Sequence, residues 1–192
     1  ISYEILETTS AASKALKKQK GNYFDTYFNY GLDLDKRNQV YNATDGTRYQ
    51  FSQELPVISE NYEVSNSFEV ATYHLFPGDM IGRISFFGRN ILSLGDKDVR
   101  ISKRVFLPSK KLRGFEAGKV GPKDNKDFIG GNYATALNIS TTLPKILPSF
   151  QNTDISFFID AANIWGVDYS STIADSNKIR SSTGLLLDVI TP

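Results

Sequence analysis

The segment Asn22-Tyr23-Phe24-Asp25-Thr26-Tyr27-Phe28-Asn29-Tyr30-Gly31-Leu32-Asp33-Leu34-Asp35 alternates between two kinds of side chain along its whole length. One parity carries Phe24, Thr26, Phe28, Tyr30, Leu32 and Leu34, and the other carries Asp25, Asn29, Asp33 and Asp35 with two tyrosines. Successive side chains of a β-strand point to opposite faces of its sheet. The segment therefore predicts a long strand with one apolar and one polar face.

The same period of two recurs along the rest of the chain. Segments with this pattern lie at residues 1–7, 49–57, 62–76, 80–88, 133–143, 154–160 and 179–189. No stretch has an amphipathic helical pattern of comparable quality. The sequence therefore predicts an all-β fold of about eight antiparallel strands.

Strand lengths and connections favour a membrane barrel over a soluble sheet. Several segments reach the roughly 9 to 11 residues that a tilted strand needs to cross hydrocarbon, whereas strands of soluble sheets usually have about 5 or 6. Tight turns at 42–46 and 77–79 and a fairly short turn at 144–152 alternate with long polar connections at 8–21, 91–130 and 166–177. Only the short connection at 58–61 breaks this pattern. Short turns on one side and long loops on the other are typical of outer-membrane barrels. A secreted soluble β-sandwich stays open as an alternative, because its strands alternate too.

Composition excludes several classes of function. Lys+Arg 22 against Asp+Glu 21 give a net charge of +1, so no overall field recruits nucleic acid. Cysteine is absent, which excludes a disulfide framework and thiolate metal sites. The only histidine is His74, and no phosphate loop, zinc pattern or nucleophile elbow is present. We expect no enzyme activity, no catalytic residue, no cofactor and no metal site.

Five short motifs occur in a fixed order in the second half of the chain. They are Leu112-Arg113-Gly114-Phe115, Val120-Gly121-Pro122, Gly130-Gly131-Asn132, Phe157-Phe158-Ile159-Asp160-Ala161-Ala162-Asn163-Ile164-Trp165, and Ile179-Arg180 leading to Thr191-Pro192. Together they resemble the C-terminal barrel of the BamA family of outer-membrane assembly proteins, of the bacterial surface antigen type. The resemblance implies a sixteen-stranded transmembrane β-barrel. Residues 1–192 would then be a fragment of that single barrel domain.

The loop at 91–130 fits a barrel of that size. The interior of an eight-stranded ring is filled by its own side chains, whereas a sixteen-stranded ring has room for a loop, so we expect 91–130 to fold into the lumen. Arg113 would form a bidentate, charge-assisted pair with Asp160 on the wall. Gly114 would allow a tight turn there. Phe115 would supply an apolar contact.

The chain departs from the family pattern beside this anchor. In the BamA family the matching arginine is held by the matching aspartate and by a glutamate on the preceding strand. Ser140 stands at the glutamate position here, and Asp188 is the candidate replacement. Leu112, Ser140 and Asp188 are the expected secondary contacts of the anchor.

The resemblance also implies a function. We expect an integral protein of the bacterial outer membrane that folds and inserts β-barrel proteins. Its partners would be unfolded barrel clients, the lipid bilayer and accessory lipoproteins of an assembly complex, with no nucleic acid. A polypeptide translocator of the same superfamily, for two-partner secretion or autotransporter assembly, and a porin stay open as alternatives.

Overall fold

A computed structural model describes residues 1–144, 153–168, 173 and 177–189. Its elements are β1 (Ser2–Leu6), α1 (Lys14–Lys18), β2 (Gly21–Asp35), β3 (Gly46–Ile58), β4 (Glu63–Phe76), β5 (Met80–Ser93), β6 (Lys123–Asp124), β7 (Asp127–Phe128), β8 (Tyr133–Thr142), β9 (Thr153–Trp165) and β10 (Arg180–Val189). Two 3-10 helices occur at Ile101–Lys103 and Ser109–Lys111. No helix within these ranges is long and apolar enough to cross a membrane.

The eight longer strands form one antiparallel sheet in the order β1-β2-β3-β4-β5-β8-β9-β10. The predictions of an all-β fold and about eight antiparallel strands are confirmed. β6 and β7 pair separately as a two-residue hairpin inside the connection from β5 to β8. The predicted turn at 144–152 lies outside the described residues except for Pro144, and Thr191 and Pro192 lie outside them entirely.

One face of the sheet is apolar and accessible. Register places Phe51 opposite Phe68, and Ile139 opposite Ile159. The exposed large apolar side chains of this outer face include Phe24, Phe28, Leu32, Leu34, Tyr49, Phe68, Ile84, Phe86, Leu137, Ile139, Phe157, Ile159, Leu185 and Leu187. Phe28 is 57% exposed and Phe157 is 44% exposed. An exposed apolar surface of this size is typical of a contact with a membrane or with another protein.

The opposite, inner face packs against the connection between β5 and β8, which we call the long loop (residues 94–132). The hydrophobic core joins loop residues to the inner sides of β5, β8 and β9. Its buried members are Phe87, Ile91, Val99, Val105, Leu107, Leu112, Val120, Ala134, Ala136, Ala162 and Ile164. The core therefore lies between a loop and a sheet, and not between two sheets as in a sandwich.

The structure differs from the sequence expectation in three local features. β5 continues to Ser93, so the long loop begins at Leu94 and not at Ile91. The polar connection at 8–21 contains the short helix α1, which begins after Ser13, whose side chain caps the amide of Leu16. The long loop has its own 3-10 helices and hairpin. Elements this short leave no periodic pattern in the sequence.

Candidate functional site

The tip of the long loop is bound to the wall through Arg113 and Asp160. The Arg113 backbone amide donates to Asp160 Oδ2 at 2.9 Å, and its guanidinium donates to both carboxylate oxygens, from Nε at 2.8 Å and from Nη2 at 2.7 Å. Asp160 is completely buried in the middle of β9. A bidentate pair with a third, backbone donor fixes both the position and the orientation of the loop.

Neighbouring groups complete the site. Asn138 on β8 lies directly opposite Asp160 and donates through Nδ2 to Asp160 Oδ1 at 2.8 Å and to the Lys111 carbonyl at 2.9 Å. The Arg113 guanidinium lies over the Phe158 ring, 3.9 Å from its centroid. This cation–π contact covers a charge that is only 21% exposed. The arginine is therefore held on one side by an acid and on another by an aromatic face.

The residues beside Arg113 place its backbone. Gly114 has φ +81°, a left-handed conformation that side-chain-bearing residues rarely adopt, although a Cβ there would meet only Ser182 Cβ at 3.9 Å. The glycine is needed for its backbone angle and not for space. Leu112 is buried in the core, and Phe115 packs against the same core. Apolar contacts thus flank the charged anchor on both sides.

Two of the expected secondary contacts are wrong. Ser140 pairs with Phe158 in the sheet, two residues along β8 from Asn138, which makes the contact with Asp160 instead. Asp188 lies opposite Asp154 and is exposed, whereas the β10 residue opposite Asp160 is Ser182. The error for Asp188 is one of register, because a shift by an even number of residues, here from Ser182 to Asp188, keeps a side chain on the same face but moves it along the strand.

Two other motifs that carry the resemblance, Val120-Gly121-Pro122 and Gly130-Gly131-Asn132, meet at the end of β9. A Cβ added at Gly131 would lie 2.5 Å from the Trp165 carbonyl oxygen, so only glycine fits this close approach. Val120 is a buried member of the core that includes Ile164. The Trp165 ring stacks on Tyr133 of β8 at a centroid distance of 5.7 Å. The end of the long loop is therefore seated on the same strand that holds Arg113.

Sequence reasoning missed a second buried charge cluster, centred on Arg100. Its guanidinium is bound by acids from β1, β2 and β4. Arg100 stands in the run Asp96-Lys97-Asp98-Val99-Arg100, which resembles an ordinary solvated loop. Only Val99 breaks that polar run, and it is completely buried.

The arrangement holds a loop in place and offers no reacting group. Within the ranges that the structure describes, no group of three or more His, Cys, Asp or Glu side chains is placed to bind a metal ion. The contacts at Asp160 are all hydrogen bonds and ion pairs within the chain. These contacts fix the long loop against the strands β8 and β9.

Comparisons with known proteins agree with this architecture. The model of the Omp85 superfamily domain matches residues 2–192. The human sorting and assembly machinery component 50 homolog is 25% identical over 166 residues, which cover 82% of this chain and 35% of the human protein. A SAM50-like protein of Schizosaccharomyces pombe is 24% identical over 218 residues, which cover 98% of this chain and 42% of the yeast protein.

A solved structure shares the fold. The crystal structure of BamA from Haemophilus ducreyi, lacking POTRA domains 1-3, matches with a TM-score of 0.78 at 22% sequence identity. The match covers 90% of this chain and 38% of that chain, so this chain spans well under half the length of the proteins that it matches. The chain belongs to the Omp85 superfamily, and its antiparallel sheet has the fold of part of a BamA barrel.

Proposed function

We propose that this protein folds and inserts β-barrel proteins into an outer membrane, as an integral barrel of that membrane. Membership of the Omp85 superfamily supports this at the level of the family. The observation that carries the proposal is the buried pair between Arg113 and Asp160, which fastens a long loop to one face of a sheet whose other face is apolar and exposed. No catalytic residue, nucleotide or metal is part of the proposal.

We assign residues 1–192 to one C-terminal barrel domain, with the loop at 91–130 inside the lumen. The apolar outer face would contact hydrocarbon, and the polar inner face and the loop would then lie inside the ring. Backbone groups in lipid must all be paired, so β1 and β10, which do not pair with each other in this sheet, need further strands beside them. A sixteen-stranded ring satisfies that need.

The proposed mechanism uses an exposed strand edge at a weak seam of the barrel. A client strand would add to this edge and gain main-chain hydrogen bonds without crossing lipid unpaired. The long loop would act as a strut that fixes the wall opposite the seam. The partners are unfolded barrel clients and the lipid bilayer, with accessory lipoproteins added in a bacterial membrane.

The bacterial location stays a prediction. The human and yeast relatives are eukaryotic proteins, whereas the matching solved structure is bacterial. We therefore propose an outer membrane and leave the choice between a bacterium and a eukaryotic organelle to the source of the gene. The name of the human relative, a sorting and assembly machinery component, favours assembly over polypeptide export or passive diffusion.

The test is a charge swap in the full-length protein, reconstituted in lipid vesicles and supplied with an unfolded barrel client. Arg113→Glu and Asp160→Arg each place two like charges at the anchor, and we expect either variant to insert clients poorly. The double variant restores opposite charges and should recover part of the insertion. Exposed Lys110 lies in the same loop, so Lys110→Glu is the matched control and should insert clients as the wild type does.

Three results would contradict the proposal. If each single reversal inserts clients as well as the wild type, the strut has no part in assembly. If wild-type vesicles insert no client but pass a polypeptide through the membrane, the protein is a translocator. Stable ion conductance, unaffected when the Arg113 loop is deleted, would instead identify a porin.

A further inference from the structure

Arg100 is the centre of a buried ion cluster far from the Arg113 anchor in the order of the sheet. Its side chain is only 2% exposed. Nη2 donates to Asp25 Oδ2 at 2.6 Å and to the Tyr27 hydroxyl oxygen at 3.0 Å. Nη1 lies 3.4 Å from Glu4 Oε2, and Nη2 lies 3.5 Å from Glu63 Oε2. One guanidinium thus faces acids from three different strands.

The backbone around Arg100 is held as well as its side chain. The Arg100 amide donates to Glu63 Oε1 at 2.7 Å, and the Ile101 amide donates to Gln19 Oε1 at 2.9 Å. Gln19 lies just after α1 and donates in turn to the Val99 carbonyl at 3.4 Å. The connection between β1 and β2 therefore closes over this part of the long loop.

Further contacts extend the attachment around the cluster. The Arg100 guanidinium lies 4.4 Å from the centroid of the Tyr23 ring. Lys103 Nζ lies 3.6 Å from Glu54 Oε1 on β3 and 4.1 Å from the centroid of the Tyr27 ring. The Ser102 hydroxyl donates to Glu4 Oε2 at 3.0 Å. Every strand from β1 to β4 thus contacts the loop segment that begins at Arg100.

The buried carboxylates around Arg100 depend on its positive charge. Asp25 and Glu63 are each about 1% exposed, so a missing guanidinium would leave two buried carboxylates without their cation. Breaking a buried ion pair by removing one partner is strongly destabilising for this reason. Lysine is a poor substitute, because a single ammonium cannot present the planar fork that reaches several acids at once.

Arg100 keeps its charge in this setting. Burial lowers the pKa of the guanidinium, but the hydrogen bond with Asp25 and the charge of Glu63 raise it further, and the net pKa lies above the ordinary value. The cluster therefore carries a permanent cation.

We propose that Arg100 is a second anchor of the long loop, which holds β1, β2 and β4 independently of the Arg113 anchor on β8 and β9. The long loop is then a brace that crosses the inner face and fixes the spacing between the two halves of the sheet. Arg100 acts as a positioning residue for this brace. The anchoring of the loop by Arg100 does not depend on the proposed function. Only the expected effect of Arg100 on client insertion rests on that function.

Hydrogen–deuterium exchange of the full-length protein in lipid vesicles tests whether the two anchors are independent. Arg100→Ala should speed amide exchange in residues 99–104 by about tenfold or more and leave residues 111–116 unchanged, because each segment opens locally. Arg113→Ala should speed amide exchange in residues 111–116 and leave residues 99–104 unchanged. Lys110→Ala removes an exposed cation from the same loop and should change neither segment. Unchanged exchange at 99–104 in Arg100→Ala, or a joint rise of both segments in either variant, would overturn the proposal.

A covalent cross-link that replaces the Arg100 contacts distinguishes positioning of the long loop from the overall stability of the protein. Ser102 and Glu4 are in contact, so Ser102→Cys with Glu4→Cys, in a full-length protein free of other cysteines, provides one defined pair for a short thiol cross-linker. In the double-cysteine variant that keeps Arg100, this pair should cross-link in the native membrane. That measurement does not require Arg100→Ala to fold. Absence of that cross-link would overturn the proposal.

In Arg100→Ala, the cross-link should return exchange at 99–104 to the wild-type rate and restore client insertion. If exchange returns and insertion does not, Arg100 anchors the loop without serving assembly. If wild-type vesicles insert no client but the amide exchange changes as expected in the variants, the proposed function is wrong and the anchoring role of Arg100 is still supported.

Discussion

A single carboxylate carries most of the polar contact between loop tip and wall. Asp160 accepts three hydrogen bonds from Arg113 and one from Asn138, and it is completely buried. A buried acid is tolerated only when its charge and its oxygens are satisfied. Each donor around Asp160 therefore stabilises both the acid and the loop that the acid holds.

Replacement of Asn138 tests this at the residue scale. Asn138→Ala removes the side-chain donor to the Lys111 carbonyl and one of the two donors to Asp160 Oδ1, and we expect a loss of about 1–3 kcal/mol in the free energy of unfolding. Ser140→Ala, on the same face of the same strand, is the matched control and should change that free energy by less than about 0.5 kcal/mol. Urea unfolding of the full-length protein in vesicles measures both. Equal losses would show that Asn138 has no special part in the anchor.

The residues of the site were only partly predictable from sequence. Arg113 and Asp160 stand in motifs with a recognisable order, and the structure brings them together. Ser140 was named because it stands at the glutamate position of the family, but the contact with Asp160 comes from Asn138, because a sequence gives the face of a side chain and not its height along the neighbouring strand. Arg100 was missed because its acids lie on three separate strands, and long-range pairs of this kind leave no local pattern.

At the scale of elements, alternation predicted the strands well because the period of two is set by backbone geometry. The prediction for β5 ended at Gly88, whereas the strand reaches Ser93. The strand continues because Gly88 pairs with Phe68 on β4 and with Thr135 on β8. Pairing on both sides outweighs the weak strand preference of one glycine.

The end of the long loop depends on a close backbone approach at Gly131. Its amide donates to the Val105 carbonyl at 3.1 Å, and an added Cβ would lie 2.5 Å from the Trp165 carbonyl oxygen. Gly131→Ala should therefore push the loop off β9 and cost about 2 kcal/mol of unfolding free energy. Gly95→Ala is the control, since a Cβ there meets nothing within 4 Å. An unfolding midpoint for Gly131→Ala equal to that of Gly95→Ala would refute this reading of the contact.

At the scale of the whole molecule, the two faces of the sheet have different environments. The inner face buries a hydrophobic core and two ion clusters under the long loop, whereas the outer face exposes rows of aromatic and aliphatic side chains. Within the part of the chain that the structure describes, the sheet has no second sheet of comparable size packed on it. The soluble sandwich considered from sequence does not fit this arrangement, because its apolar faces would be packed together in a dry interior.

Lipid should contact the outer face of the sheet, while the long loop covers the inner face. Phe157 and Phe158 are adjacent in β9, but Phe157 is 44% exposed on the outer face and Phe158 is 7% exposed beneath Arg113. Tryptophan fluorescence of Phe157→Trp and Phe158→Trp, in a full-length protein free of other tryptophans, is measured in vesicles of brominated phospholipid. We expect bromine to quench the fluorescence of Phe157→Trp strongly and that of Phe158→Trp little. Equal quenching of the two variants, or stronger quenching of Phe158→Trp, would contradict this expectation.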